Sequence, residues 1–150
     1  MAVSQYHLIE DLVENAIGLY ITSRGSTALK AITLLKGGDE TEGVTPCVEI
    51  VAGPCAPFIE ADPESGDWSV SLRAAIRSNV KDTTRVEHSV LVGDLRDILI
   101  VSDFVSHLNT LAITPLNAIL WTPVQLNKSV EGDTRVSWLE GILACNVTKT

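Results

Sequence analysis

The sequence has few cysteines, few basic residues and no long apolar run. Its three cysteines are an odd number without paired spacing, which argues against a disulfide framework. Eleven basic residues stand against nineteen acidic ones, and a net charge of −8 disfavours a basic surface that grips nucleic acid. No apolar run approaches the roughly 20 residues of a membrane span, and no basic-then-apolar signal segment opens the chain. We therefore expect a soluble protein of cytoplasmic type with no membrane partner.

What the sequence does contain is an ordinary globular composition. The 150 residues are 45% hydrophobic and 20% charged, which excludes a disordered or fibrous chain. A chain of this length can bury roughly 68–70% of its unfolded surface in one core. We expect a single domain over residues 1–150.

The first third of the chain predicts one long helix and two short elements. Apolar residues in i, i+4 pairs predict a helix over 4–23, with Ser4 as its N-cap. Residues 28–36 fit either a strand or a short helix, because two glycines end the segment in both cases. Residues 47–52 predict a short apolar strand that is closed by a Gly-Pro pair.

The clearest strand signal covers residues 68–78. Apolar residues at the even positions alternate with serines and two arginines at the odd ones, which predicts an antiparallel strand with one face on the core. Positive charge on this strand falls only on its polar face, at Arg73 and Arg77.

A helix start follows this strand. Thr84 and Glu87 have the spacing of a capping box, which predicts a helix that ends near 100–101. Ser102 is the expected cap of a short second helix over 103–109.

The last part of the chain predicts a hairpin. Strands over 116–126 and 134–148 are joined by a turn at 127–133. Glu140 interrupts the row of alternate apolar residues in the final strand, which favours a bulge or an exposed strand end near Glu140 and Gly141. The order of elements predicts an α+β domain, a two-layer arrangement in which two main helices pack on one face of an antiparallel sheet.

No catalytic, cofactor or metal signature is present. Cys47 and Cys145 lie in predicted strands and are expected to be buried apolar residues, and Cys55 lies between prolines without a histidine near it in sequence. The three histidines lie on predicted helices without metal-ligand spacing and are expected on helix surfaces. No glycine-rich phosphate loop or nucleophile elbow occurs. We predict no catalytic residue, no cofactor and no metal.

Surface features therefore carry the functional expectation. The acidic segments at 37–43 and 54–66 are long for so small a domain, and such loops tend to be functional. The final strand has apolar residues at both odd and even positions, so we expect a second subunit to cover the face that the helices leave open. The alternative is a monomer in which the chain itself covers a slightly irregular strand. The candidate interface residues are Asp39, Glu40, Glu42, Glu60, Asp62, Glu64, Arg73 and Arg77.

One stretch resembles a known family. The run begins Gly66-Asp67-Trp68-Ser69-Val70-Ser71-Leu72, continues through Ile76-Arg77-Ser78-Asn79, and reaches Asp82-Thr83-Thr84 and His88. It is preceded by a helix, a glycine-acid loop and a strand that Pro46 introduces, and it is followed by a hairpin with a cysteine in its last strand. This pattern resembles the tail-terminator (tail-completion) proteins of long-tailed bacteriophages and related neck proteins. The segment at 53–66 is longer than the pattern requires.

The resemblance implies a structural role in the virion. It implies a hexameric ring on the end of the tail tube that stops tube polymerisation and docks to a neck or stopper protein. DNA would pass through the lumen without sequence-specific binding, and the ring would assemble in the host cytoplasm. Two alternatives stay open: another connector, stopper or tube-like protein, and a small ligand-binding or thiol-enzyme domain with Cys55 as nucleophile.

Overall fold

The computed structural model describes residues 2–37, 39, 44–57, 66–111 and 116–147. Helical elements lie at the start of the chain and between residues 85 and 110, three strands lie between these two helical regions, and two strands follow them. The elements are α1 (Ala2–Arg24), α2 (Thr27–Ala31), β1 (Thr33–Lys36), β2 (Cys47–Pro57), β3 (Gly66–Asn79), α3 (Arg85–Arg96), a π-helical turn (Asp97–Val101), α4 (Phe104–Thr110), β4 (Leu116–Glu131) and β5 (Thr134–Val147).

The five strands form one sheet in the order β1-β2-β3-β5-β4. The β1–β2 pair is parallel and the other three pairs are antiparallel, so the expectation of a purely antiparallel sheet was wrong at one edge. The parallel pair arises because a long connection separates β1 from β2, whereas β4 and β5 are joined directly. Strands β3 and β5 lie in the interior of the sheet, and β1 and β4 are its edge strands.

The helices share one core with a single face of the sheet, which confirms an α+β architecture. The even-numbered residues of β3 are buried, from Trp68 at 2% exposed to Ile76 at 0%, as their alternation predicted. Ile17 and Tyr20 of α1 and Leu99 of the π-helical turn pack into the same cluster. The opposite face of the sheet carries no helix of the described residues.

The first elements differ from the sequence expectation at their boundaries. Helix α1 begins at Ala2, so Ser4 lies inside the helix and is not its N-cap. Residues 28–36, predicted as either a strand or a short helix, contain a helix followed by a strand. Helix α2 ends at Ala31, and strand β1 begins two residues later. The cap of α2 is Ser26, whose hydroxyl accepts a hydrogen bond from the Leu29 N–H at 3.1 Å.

The capping box at the start of α3 is confirmed. The Thr84 hydroxyl accepts from the Glu87 N–H at 3.1 Å, and the Glu87 carboxylate accepts from the Thr84 N–H at 3.2 Å. The cap of α4 is Asp103, which accepts from the Ser106 N–H, and the prediction of Ser102 was off by one residue. Ser102 instead ends the π-helical turn.

Strand β2 continues beyond its predicted end. Gly53 has a φ of 133°, and the register with β3 shifts between Ala52 and Cys55, so the Gly-Pro pair forms a bulge instead of ending the strand. Glu14 of α1 reaches this bulge, and its carboxylate accepts a hydrogen bond from the Ala52 N–H at 2.9 Å. A backbone donor that the irregular ladder would leave unpaired is thus satisfied by a helix side chain.

The terminal hairpin is tighter and longer than predicted. The strands extend to Glu131 and Thr134, so the turn is the pair Gly132 and Asp133, with Gly132 at a φ of 63°. Strand β5 pairs with β3 without any register shift, so the predicted irregularity at 140–141 is absent from β5. The partner strand β4 contains it, because Val124 is an extra residue opposite that point.

Candidate functional site

The open face of the sheet carries two of the predicted interface residues. Arg73 and Arg77 both lie on it, and each is half-buried. The Arg77 guanidinium lies 3.5 Å from the Glu49 carboxylate on β2 and 3.8 Å from Glu131 on β4. The guanidinium carbon of Arg73 lies 4.7 Å from the ring centroid of Trp138 on β5. These long side chains therefore cross the strands and cover part of the face.

Small apolar residues form the floor under this layer. Cys47, Ala75 and Val136 lie on the open face and are 0% exposed. The Nε atoms of Arg73 and Arg77 are buried without an acceptor in the described part of the chain. Because glutamates of neighbouring strands face the two arginines, the open face is not the positive stripe that β3 alone predicted.

Of the acidic interface candidates, Asp39 is the one that lies within the described part of the chain. Asp39 lies in the turn after β1, where its carboxylate accepts from the Lys36 N–H at 2.8 Å. That contact gives it a local structural role. Five other predicted residues lie outside the described part of the chain: Glu40, Glu42, Glu60, Asp62 and Glu64.

Strand β4 presents the largest exposed apolar surface of the sheet. Five of its apolar side chains are 46–66% exposed: Ile119, Leu120, Val124, Leu126 and Val130. Two of them are the extra residues of its bulges, which lie between Ala118 and Leu120 and between Pro123 and Gln125. Strand β4 is also an edge of the sheet, the position at which a further strand can pair.

The expectation that the final strand needs subunit cover was placed on the wrong strand. Strand β5 lies between β3 and β4, and most of its side chains are buried within the chain. Ile142 on the open face is its exposed apolar residue, at 43%. The hairpin folds β4 onto the outer side of β5, and β4 has more exposed apolar side chains than β5.

Cys55 does not have the properties of a nucleophile. Its thiol is 8% exposed, and burial together with the nearby Glu10 carboxylate raises its pKa to about 12. A thiol with this pKa is protonated at neutral pH, whereas a nucleophilic cysteine needs a lowered pKa. Cys47 and Cys145 are also buried and are not part of a disulfide, and burial raises the pKa of Cys47 as well.

His88 is the site residue that sequence reasoning missed. We expected it on a helix surface, but it is 6% exposed and both ring nitrogens have partners. Its Nδ1 lies 2.6 Å from the Ser78 hydroxyl on β3, and its Nε2 lies 2.9 Å from the Ser137 hydroxyl on β5. Burial, with a smaller contribution from Arg135, lowers the pKa of His88, so the ring is neutral near pH 7. The imidazole thus links α3 to two strands.

Other site types are not indicated by the described residues. In these ranges no group of three or more His, Cys, Asp or Glu side chains is arranged to hold a metal ion. Within the same ranges no helix is both long and apolar enough to cross a membrane. No protein-family model matches the sequence, and no curated protein matches it significantly.

Proposed function

We propose that this chain is a structural protein of a bacteriophage virion that forms a ring at the head–tail junction. The ring terminates the tail tube, docks to the neck, and surrounds the DNA in its lumen. The observation that carries this proposal is the apolar edge strand β4 with its five exposed apolar side chains. The tail-terminator identity and the six-fold number rest on the resemblance of residues 66–88.

The asymmetry of the two sheet edges supports a ring. Strand β1 has 4 residues and β4 has 16, so the edges are not equivalent. A contact between β4 of one copy and a different surface of the next is head-to-tail, and such contacts close into rings when the rotation per copy allows it. Exposed aliphatic side chains on β4 favour this contact, because covering each one removes apolar surface from water.

The charge of the chain fits a conduit for DNA. Each copy carries a net charge of −8, so the long-range field of a ring of such copies would oppose tight binding of the phosphate backbone. This supports passage of DNA through a lumen without sequence-specific binding. A non-enzymatic role is part of the proposal, and the buried, protonated Cys55 argues against the thiol-enzyme alternative.

The test is the mass of the protein in solution, by native mass spectrometry and light scattering over a range of concentrations. We expect a species of six times 16.1 kDa, and rings in negative-stain electron microscopy. Leu120→Lys and Val124→Lys on β4 should shift the equilibrium to monomer. Val101→Lys is the matched control, because Val101 is 73% exposed but lies in the helical layer.

Each other outcome has a defined meaning. A wild-type monomer at all concentrations contradicts the ring. Open filaments favour a tube-like protein, and rings that survive both β4 substitutions place the contact on another surface.

A further inference from the structure

A groove lies between α3 and the β4–β5 hairpin, with a cavity volume of about 760 Å³. One wall is a single face of α3, because its lining residues recur every three or four positions from Arg85 to Arg96. The other wall is the hairpin, from Leu126 to Val130 and at Arg135. His88 and Ser137 form part of the floor.

The groove is cationic although the chain as a whole is acidic. Arg85, Arg96, Lys128 and Arg135 line it, and none of its lining residues is a carboxylate. Arg135 donates to the Thr83 carbonyl, whereas the other three are exposed and have no ion-pair partner among the described residues. Three exposed, unpaired cations beside Arg135 in one groove of a protein with a net charge of −8 favour an anionic ligand.

The dimensions and the apolar lining define the ligand further. Arg85 and Arg96 are three helical turns apart, or about 16 Å, a span that about five residues of extended peptide cover. Leu126 and Val130 add exposed aliphatic surface between the charges. The centre is open at Gly93, where an added Cβ would have no neighbour within 4 Å.

A peptide fits this combination better than nucleic acid does. Nucleic-acid binding draws its affinity from many phosphate contacts, whereas this groove has four cations. A short acidic segment needs only a few cations, and an apolar side chain within it would be covered by the aliphatic residues of the hairpin.

We propose that this groove binds a short, extended acidic segment of a partner protein, with an apolar side chain near its middle. The groove is distinct from the residues that test ring formation, since neither Leu120 nor Val124 lines it. Leu126 and Val130 line the groove and also belong to the exposed apolar residues of β4, so the two proposals share part of one surface, and the arginine variants of α3 test the groove separately from the ring.

The experiment is fluorescence anisotropy with the full chain and a labelled octapeptide of six glutamates around a central Leu-Phe pair. Its control is the same peptide with glutamine in place of glutamate. We expect the acidic peptide to bind and the neutral one to bind at least tenfold more weakly. The double variant Arg85→Gln/Arg96→Gln should raise the Kd about twofold to thirtyfold, since two exposed charge pairs are lost. Arg24→Gln, an exposed arginine outside the groove, is the matched control and should bind like wild type.

A second pair of variants tests the groove without removing a cation. Gly93→Glu places a negative charge in the open centre and should weaken binding, whereas Gly93→Ala should bind like wild type. Thermal melts of each variant show that the fold is retained.

The proposal is overturned if the acidic peptide does not bind up to millimolar concentration. It is equally overturned if the glutamine peptide binds as well, or if all variants bind alike. Tighter binding of a labelled single- or double-stranded oligonucleotide that depends on the same arginines would assign the groove to nucleic acid instead.

Discussion

Gly141 in the middle of β5 is a position where one methyl group should destabilise the protein. It is buried on the core side of the sheet, and a Cβ there would lie 2.8 Å from the Thr122 carbonyl oxygen and 2.8 Å from Cζ2 of Trp121. Both separations are far below ordinary contact, so the indole must move. That ring packs on Phe104, with ring centroids 5.4 Å apart, so its displacement disturbs the junction of the sheet with α4.

The magnitude follows from two opposing effects of Gly141→Ala. Overpacking a filled site costs about 1–3 kcal/mol. Replacing a strand glycine by alanine otherwise gains about 0.5–1 kcal/mol through the lower entropy of the unfolded chain. We therefore expect the free energy of unfolding to fall by about 1–2 kcal/mol, measured by urea denaturation followed by circular dichroism.

A double-mutant cycle with Trp121→Leu identifies the cause. Removing the indole removes the main obstacle, so Gly141→Ala should cost about 1 kcal/mol less in that background. The contact with the Thr122 carbonyl remains in both backgrounds, so the cost need not vanish. An equal cost in both backgrounds, or no cost in the wild-type chain, would refute the reasoning.

Four further measurements test the structure. Trp68→Ala should lower the free energy of unfolding by about 3–5 kcal/mol because the indole is buried, and a loss below about 1 kcal/mol would contradict its place in the core. Because folding lowers the pKa of His88 from 6.5, the unfolded chain binds the proton more readily, and the free energy of unfolding should fall as the pH drops below 6.5. His88→Gln should reduce this pH dependence, and an unchanged pH dependence would exclude His88 as its source. Cys55, with a pKa of about 12, should react with a thiol reagent at pH 8 only after unfolding, and rapid labelling of the native chain would revive the thiol-enzyme alternative. Added salt should strengthen self-association, because it screens the repulsion between copies of charge −8, and it should weaken binding of the acidic peptide. If salt changed both affinities in the same direction, the two interactions would not differ in their electrostatics as proposed.

Local sequence patterns predicted those helices and strands that are determined by residues close together in the sequence. The alternation over 68–78 depends on one strand having one buried face, and the capping box depends on two side chains three residues apart. Both were predicted correctly. Strand ends, bulges and the parallel β1–β2 pair depend on neighbouring strands, so no local pattern reveals them. The Gly-Pro pair at 53–54 is an example, because it ends an isolated strand but forms a bulge beside β3 and under Glu14.

The buried position of His88 could not be derived from its helix alone. Its partners come from β3 and β5, 10 residues before it and 49 after it, and only the folded sheet brings them together. The sequence did contain a signal for this burial, because the row of core-facing, even-numbered residues of β3 continues past Ile76 to Ser78. A serine that ends a buried apolar row needs a hydrogen-bond partner.

Net charge proved a poor guide to local surface chemistry. A value of −8 argues against a basic surface only if the charges are evenly distributed, and here they are not. Arg85 and Arg96 fall on the groove side of α3 because eleven residues make three turns, and the tight turn at 132–133 places Lys128 and Arg135 on the facing wall. The predicted turn at 127–133 would have left Lys128 in a loop. The length of the hairpin, which pairs Lys128 within β4, is therefore what assembles four cations from two distant parts of an acidic chain.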